Sequence, residues 1–184
     1  MYVGNNATAI RSQKWIVDSL LSLMEQKSYA EITVRDICKS ADLSRQTFYN
    51  VFDSKDEVLC FRLRNEYQRQ FARFCDNDSI TVPEIVEAFT TVLLEDERVL
   101  SLMIDNGLED IISSEISKCV AMFASRFVKA ENDNEFLPYS IALVSGALAE
   151  MLVYWFKQKE PISIDKLTSL LDRKSTRLNS SHSS

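Results

Sequence analysis

The sequence predicts an all-α protein, and three observations predict it. Only three Gly and three Pro stand among 184 residues that are 46% hydrophobic, too few breakers for a turn-rich sheet protein. Apolar residues recur at helical spacing along most of the chain. Helix-start signals of the Ser/Thr-x-x-Asp/Glu kind stand at Thr33 to Asp36 and at Ser54 to Glu57. The length accommodates a small head and a larger helical body.

The first helix is expected from Ala9 to Met24, where Ile10, Ile16, Val17, Leu20, Leu21, Leu23 and Met24 form one buried stripe opposite Arg11 and Lys14. Thr33 is a good N-cap with Asp36 three residues on, so a second helix begins at about Val34 and buries Ile37. It must stop near Asp42, because Ser44 is already a second N-cap. Asp42 occupies the turn, where Asp tolerates a left-handed backbone better than most residues other than Gly. The third helix runs from Arg45 to about Val51 and buries Phe48, with Phe52 just beyond. Its outward side chains are Arg45, Gln46, Thr47, Tyr49 and Asn50.

Ser54 to Glu57 opens a long fourth helix, with two acids in its first turn to suit the dipole, running through Val58, Leu63, Tyr67, Phe71 and Phe74. Asp76-Asn77-Asp78-Ser79 marks the domain boundary. Beyond it, Pro83 opens a helix, Glu97 to Ile104 forms a short one ended by Asn106-Gly107, and Leu108 to Val128 forms another. After the polar loop 131–134, Pro138 to Phe156 is apolar nearly all round, and a short helix follows from Ser163 to Leu171.

Such an apolar helix has the length of a membrane span. Glu150 interrupts it, no polybasic flank orients it, and it is rich in small residues, so a bundle helix buried on two sides is expected. Its second side would face another copy of the chain through Ala142, Ser145, Gly146, Ala149 and Val153, making a homodimer with no membrane association. The tail 172–184, with five Ser and Leu178 as its one apolar residue, cannot pack. It resembles adapter read-through and is expected to be disordered and non-native.

Residues 1–75 hold eleven Lys/Arg against nine Asp/Glu, a net of +2, and residues 76–184 hold ten against eighteen, a net of −8. A polyanion would thus meet the N-terminal end and be repelled by the rest. Cys38, Cys60, Cys75 and Cys119 have neither paired nor metal-type spacing, which fits reduced thiols in a cytoplasmic protein. The single histidine, His182, lies in the tail, and no Gly-rich phosphate loop occurs. Histidine acid-base chemistry, Ser-His triads and common zinc sites are therefore absent. No enzyme and no cofactor is expected.

Residues 33–52, TVRDICKSADLSRQTFYNVF, read as two short helices about a tight turn with polar side chains left outward, the pattern of a helix-turn-helix that lays its second helix in a DNA major groove. With the preceding amphipathic helix and the following DSKDEVL, the stretch of about 10–70 resembles the DNA-binding domain of the TetR family of transcriptional regulators. The remainder, 78–171, is similar in length and layout to that family's helical effector-binding and dimerisation domain. Asp42 departs from the family's usual turn Gly and implies a small strain.

The resemblance implies that Arg45, Gln46 and Thr47 approach base edges while Thr33, Tyr49 and Lys55 hold backbone phosphates. It also implies a homodimer on operator DNA, a repressor, answering to a small-molecule effector or a partner protein. Expected pocket walls are Phe71, Phe89, Met103, Met122, Phe123, Phe127 and Trp155, each of which would equally suit ordinary core. The alternative is a helical regulatory module that works through a partner protein.

Overall fold

A computed structural model describes residues 7–72, 91–92, 95–127, 135–159, 161–163, 166–167 and 169, the side chains of 71 and 123–127 excepted. Within them lie α1 (Ala7–Met24), a 3₁₀ turn (Tyr29–Glu31), α2 (Val34–Ser40), α3 (Arg45–Tyr49), α4 (Lys55–Phe71), α5 (Glu97–Asp105), α6 (Glu109–Phe127) and α7 (Leu137–Phe156). The described residues include no strand, as the composition predicts. The boundary at 76–79, the helix opened by Pro83, the loop 131–134 and the tail 172–184 lie outside the described residues, as does most of the last short helix.

The head is α1 to the first half of α4. Ile16, Leu20, Ile37, Phe48, Phe52, Val58, Leu59 and Leu63 are each no more than 1% exposed. Phe48 packs on Phe52 with ring centroids 6.1 Å apart, and Phe52 meets Phe61 edge-on at 5.2 Å. Burial of two such rings is worth roughly 2–3 kcal/mol each, enough to hold five residues of α3 in a helix too short to form alone. Ile10 departs from expectation, being 53% exposed. It sits at the edge of the α1 stripe, in a first turn that is otherwise exposed apart from half-buried Ala9.

The caps explain the boundaries. Thr33 accepts the Asp36 N–H at 3.2 Å, and the Asp36 carboxylate accepts the Thr33 N–H at 2.9 Å, a complete capping box for α2. Asp42 adopts φ 51°, and Leu43 N–H reaches back to the Cys38 carbonyl at 2.9 Å, so α2 ends in a Schellman turn with Asp where Gly is usual. Ser44 caps α3 through the Thr47 N–H at 3.0 Å, and Ser54 caps α4 through the Glu57 N–H at 3.1 Å. The expected reciprocal bond at Ser54 is shifted: Glu57 accepts the N–H of Asp53, one residue further out, at 2.6 Å.

The body packs α4 on α6 and α6 along α7. Arg64 grips Glu115 with two bonds of 3.2 Å, Lys118 joins at 2.6 Å, and Glu115 is only 1% exposed. Burial raises the Glu115 carboxyl, but hydrogen bonds from Lys118 and Arg64 outweigh it and hold the group below its usual range. Trp155 Nε1 donates to the Ile162 carbonyl at 2.7 Å, folding the chain back after α7.

On α7, Ser145, Ala149, Leu152 and Trp155 are buried against the chain's own body, while Tyr139, Leu143 and Tyr154 are 75%, 73% and 69% exposed. Two assignments are thereby corrected: Ser145 and Ala149 were expected on an outward dimer face and instead face inward. The reason is periodicity, since 145, 149 and 152 share one side of a helix and 139, 143, 150 and 154 share the other. Ala142 and Gly146 are exposed, and Val153 is half-buried. The helix is long and apolar enough to cross a membrane, with 20 residues and a mean hydropathy of 1.4, and it packs one side on its own body.

Candidate nucleic-acid interface

α3 presents its side chains because Phe48 alone among its residues is buried. Arg45 and Gln46 are exposed, Thr47 is half-buried, and Tyr49 is 46% exposed. The Arg45 guanidinium lies 5.9 Å from the Tyr49 ring centre, and Tyr49 stands edge-on to Phe48 at 5.4 Å, so the phenol is propped outward by the core beneath it. Gln46 donates to Asn50 at 3.0 Å, leaving its carbonyl oxygen available as an acceptor. Arg45, Gln46 and Thr47 thus form the first turn of the exposed helix, whose N-terminal residues are those that meet base edges in helix-turn-helix proteins.

Thr33 stands at the start of α2, where free backbone N–H groups favour an anion, but its hydroxyl already caps Asp36. The Asp36 carboxyl is held well below the usual carboxylate range, first by the Thr33 backbone N–H and then by Lys27, whose ammonium is 2.9 Å away. Lys55 differs more from a free surface charge. Its ammonium donates to the Tyr29 carbonyl at 2.7 Å and the Ile32 carbonyl at 2.9 Å, and lies 4.1 Å over the Tyr29 ring. Two of its three donors are used, which leaves one for a further acceptor. Tyr29 was not singled out in the sequence: its 7% exposure and its bond to the Asp56 carboxylate are tertiary facts.

Three of the expected pocket walls have described side chains. Met103 is fully buried core, Trp155 is 8% exposed, and Met122 is 40% exposed. Phe89 and the side chains of Phe71, Phe123 and Phe127 lie outside the described residues. A cavity of about 70 Å³ opens between α4 and α6, with Arg64, Tyr67, Glu115, Cys119 and Met122 among its described walls, so Met122 borders it. Burial and the Glu115 charge push the Cys119 thiol up to about 12, and Cys60 and Cys38 are also raised, chiefly by burial. Thiolate chemistry at neutral pH is disfavoured at all three. No group of three or more His, Cys, Asp or Glu among the described residues is arranged to hold a metal.

A three-helix head with this motif on a helical body is the architecture of the helix-turn-helix class of DNA-binding proteins. More narrowly, residues 16–59 match the family model described as bacterial regulatory proteins, tetR family, so the head is similar to the DNA-binding head of that family. The segment is similar to that of the HTH-type dhaKLM operon transcriptional activator DhaS of Lactococcus lactis, 36% identical over 63 residues, which are 34% of this chain and 34% of that protein. It is also similar to that of the HTH-type transcriptional regulator EthR of Mycolicibacterium smegmatis, 54% identical over 37 residues, 20% of this chain and 17% of that one. The match thus spans about a third or less of these relatives. Over the whole chain the fold is similar to Lin0861 from Listeria innocua, with a TM-score of 0.77 at 14% identity over 97% of this chain and 96% of that one. It is likewise similar to a TetR transcriptional regulator from Streptococcus agalactiae, with a TM-score of 0.58 at 17% identity over 89% and 93%.

Proposed function

We propose that the chain is a cytoplasmic homodimeric repressor that occupies a pseudo-palindromic operator and releases it when a small-molecule effector enters the helical body. The observation that carries the DNA-binding part is the exposed first turn of α3, flanked by Tyr49 on the same helix and by Lys55 and Thr33 at the starts of α4 and α2. In this reading Arg45, Gln46 and Thr47 read base edges, Tyr49 donates its hydroxyl to a phosphate, and Lys55 gives its remaining N–H to another. Two heads would sit about 34–36 Å apart, one turn of DNA. The exposed apolar side of α7, with Tyr139, Leu143 and Tyr154, supports association of two copies there.

Selection of bound duplexes from random DNA by the full chain, beside a Tyr49→Ala/Lys55→Ala double variant, tests this. An inverted repeat enriched by the parent and lost by the variant is expected. Failure of a folded dimer to enrich any sequence would favour a regulatory module acting through a partner protein. Because the DhaS relative is named an activator, the sign of regulation needs its own readout, a promoter-reporter fusion carrying the selected repeat; repression is the expected result.

A further inference from the structure

We infer that Asn106, a residue of the body, is a positioning residue for the DNA-binding face, acting through the Tyr29–Ile32 turn on Lys55 and Thr33. The inference rests on the DNA-binding reading above and adds to it the joint by which the body sets the head. Asn106 caps the C-terminus of α5. Its Oδ1 accepts the Tyr29 N–H at 2.7 Å, across 77 residues of sequence, while its Nδ2 donates to the Leu102 carbonyl at 2.8 Å. Both ends of the carboxamide are therefore engaged, which fixes its orientation.

Tyr29 is the receiver of that bond and the holder of the head. Its carbonyl and that of Ile32 fix the Lys55 ammonium, its ring lies beneath the same charge, and its hydroxyl donates to the Asp56 carboxylate. The residue after Ile32 is Thr33, whose side chain starts α2. One short turn thus holds Lys55 and leads into Thr33, two of the residues assigned to backbone phosphates, and Asn106 of the body bonds to that turn. Two ion pairs also join head and body, Arg62 on α4 to buried Asp96 and the more exposed Arg98 to Glu25, and both join elements other than the Tyr29–Ile32 turn. Lysine is a point charge on a flexible stem, so where it sits depends on what holds it. Releasing the Tyr29 amide loosens the carbonyls that hold Lys55.

The test is fluorescence anisotropy of the full chain on the duplex enriched by selection, over a salt series, for the parent, Asn106→Ala, Lys55→Met and the double variant. Asn106→Leu, of similar size and without polar atoms, runs in parallel to separate lost volume from a lost bond. Asn106→Asp, which keeps the acceptor for the Tyr29 N–H and loses the donor to Leu102, serves as partial rescue. We expect Asn106→Ala and Asn106→Leu to weaken binding about five- to tenfold, as loss of one partly buried hydrogen bond allows. They should also flatten the slope of log affinity against log salt by up to about 0.9, one phosphate's worth. In the Lys55→Met background they should cost clearly less, the remainder being the share that passes through Thr33, and Asn106→Asp should recover part of the affinity. Hydrogen exchange at the Tyr29 amide should quicken in Asn106→Ala even without DNA. An equal loss with and without Lys55 at unchanged salt slope would make Asn106 merely structural and overturn the inference, as would parent-like binding by both variants. A parent that enriches no duplex sinks the DNA-binding reading and this inference together, and so is told apart from failure of the inference alone.

Discussion

Asp42 holds φ 51° at the turn between the two helices of the motif, a conformation that costs an ordinary L-residue roughly 1–2 kcal/mol and Asp somewhat less. Asp42→Gly is therefore expected to be nearly neutral, whereas Asp42→Val should destabilise the head by about 1–2 kcal/mol. Urea unfolding of the two variants checks the ordering. Asp36 gives a pH-dependent prediction. Its folded carboxyl titrates below the unfolded value of about 3.9, so its contribution is present above that value and is lost as pH falls through the folded one. Asp36→Asn should be less stable than the parent near neutrality, and the difference should vanish on strong acidification; a constant difference from neutral pH into acid would show that the charge is not the cause. Cys119 is raised instead, so the native thiol stays neutral well above pH 8. Iodoacetamide should label it in the unfolded chain and leave it unlabelled in the native one, read by mass spectrometry.

At the scale of elements, α3 is five residues long and owes its existence to Phe48 and the caps on either side. Phe48→Ala removes a fully buried ring from beneath Tyr49 and should cost about 3–5 kcal/mol. Near-ultraviolet circular dichroism and urea melts should show the head loosened, with DNA affinity lost alongside. Retained affinity would mean that Tyr49 and Arg45 are placed by something other than the ring below them. The α4–α6 contact is different in kind: Glu115 is buried, but its partners Arg64 and Lys118 are 34% and 59% exposed. Removing the carboxylate strands neither cation in the interior, so the energetic effect there is modest.

For the whole molecule, the question is what covers the outer side of α7. A Leu143→Glu/Tyr154→Glu variant places two charges on exposed positions of that side without touching Ser145, Ala149 or Leu152 within. In sedimentation velocity the parent is expected to run as a dimer and the variant as a monomer with unchanged helicity. A variant that stays dimeric would move the interface elsewhere. The charge imbalance between the first 75 residues and the rest belongs to this scale too, since an acidic body turns the head toward a polyanion without contributing a contact.

The sequence by itself determined the all-α class, the helix boundaries of the head, the Asp42 turn and the division of α3 into one buried ring and an outward polar set. Each depends on local signals: a cap three residues from its partner, a breaker, an apolar period of 3.6. It also marked α7 as apolar all round, but not which side faces inward, because Ser145 and Ala149 are no more apolar than Ala142 and Gly146. Only the packing of α7 on α6 separated them. The same limit applies to Lys55, expected as a phosphate contact and seated on the Tyr29 and Ile32 carbonyls, to Tyr29, and to Asn106, legible only as a helix stop. A hydrogen bond between residues 77 apart leaves no trace in local spacing, because it depends on where two separately folded segments come to rest.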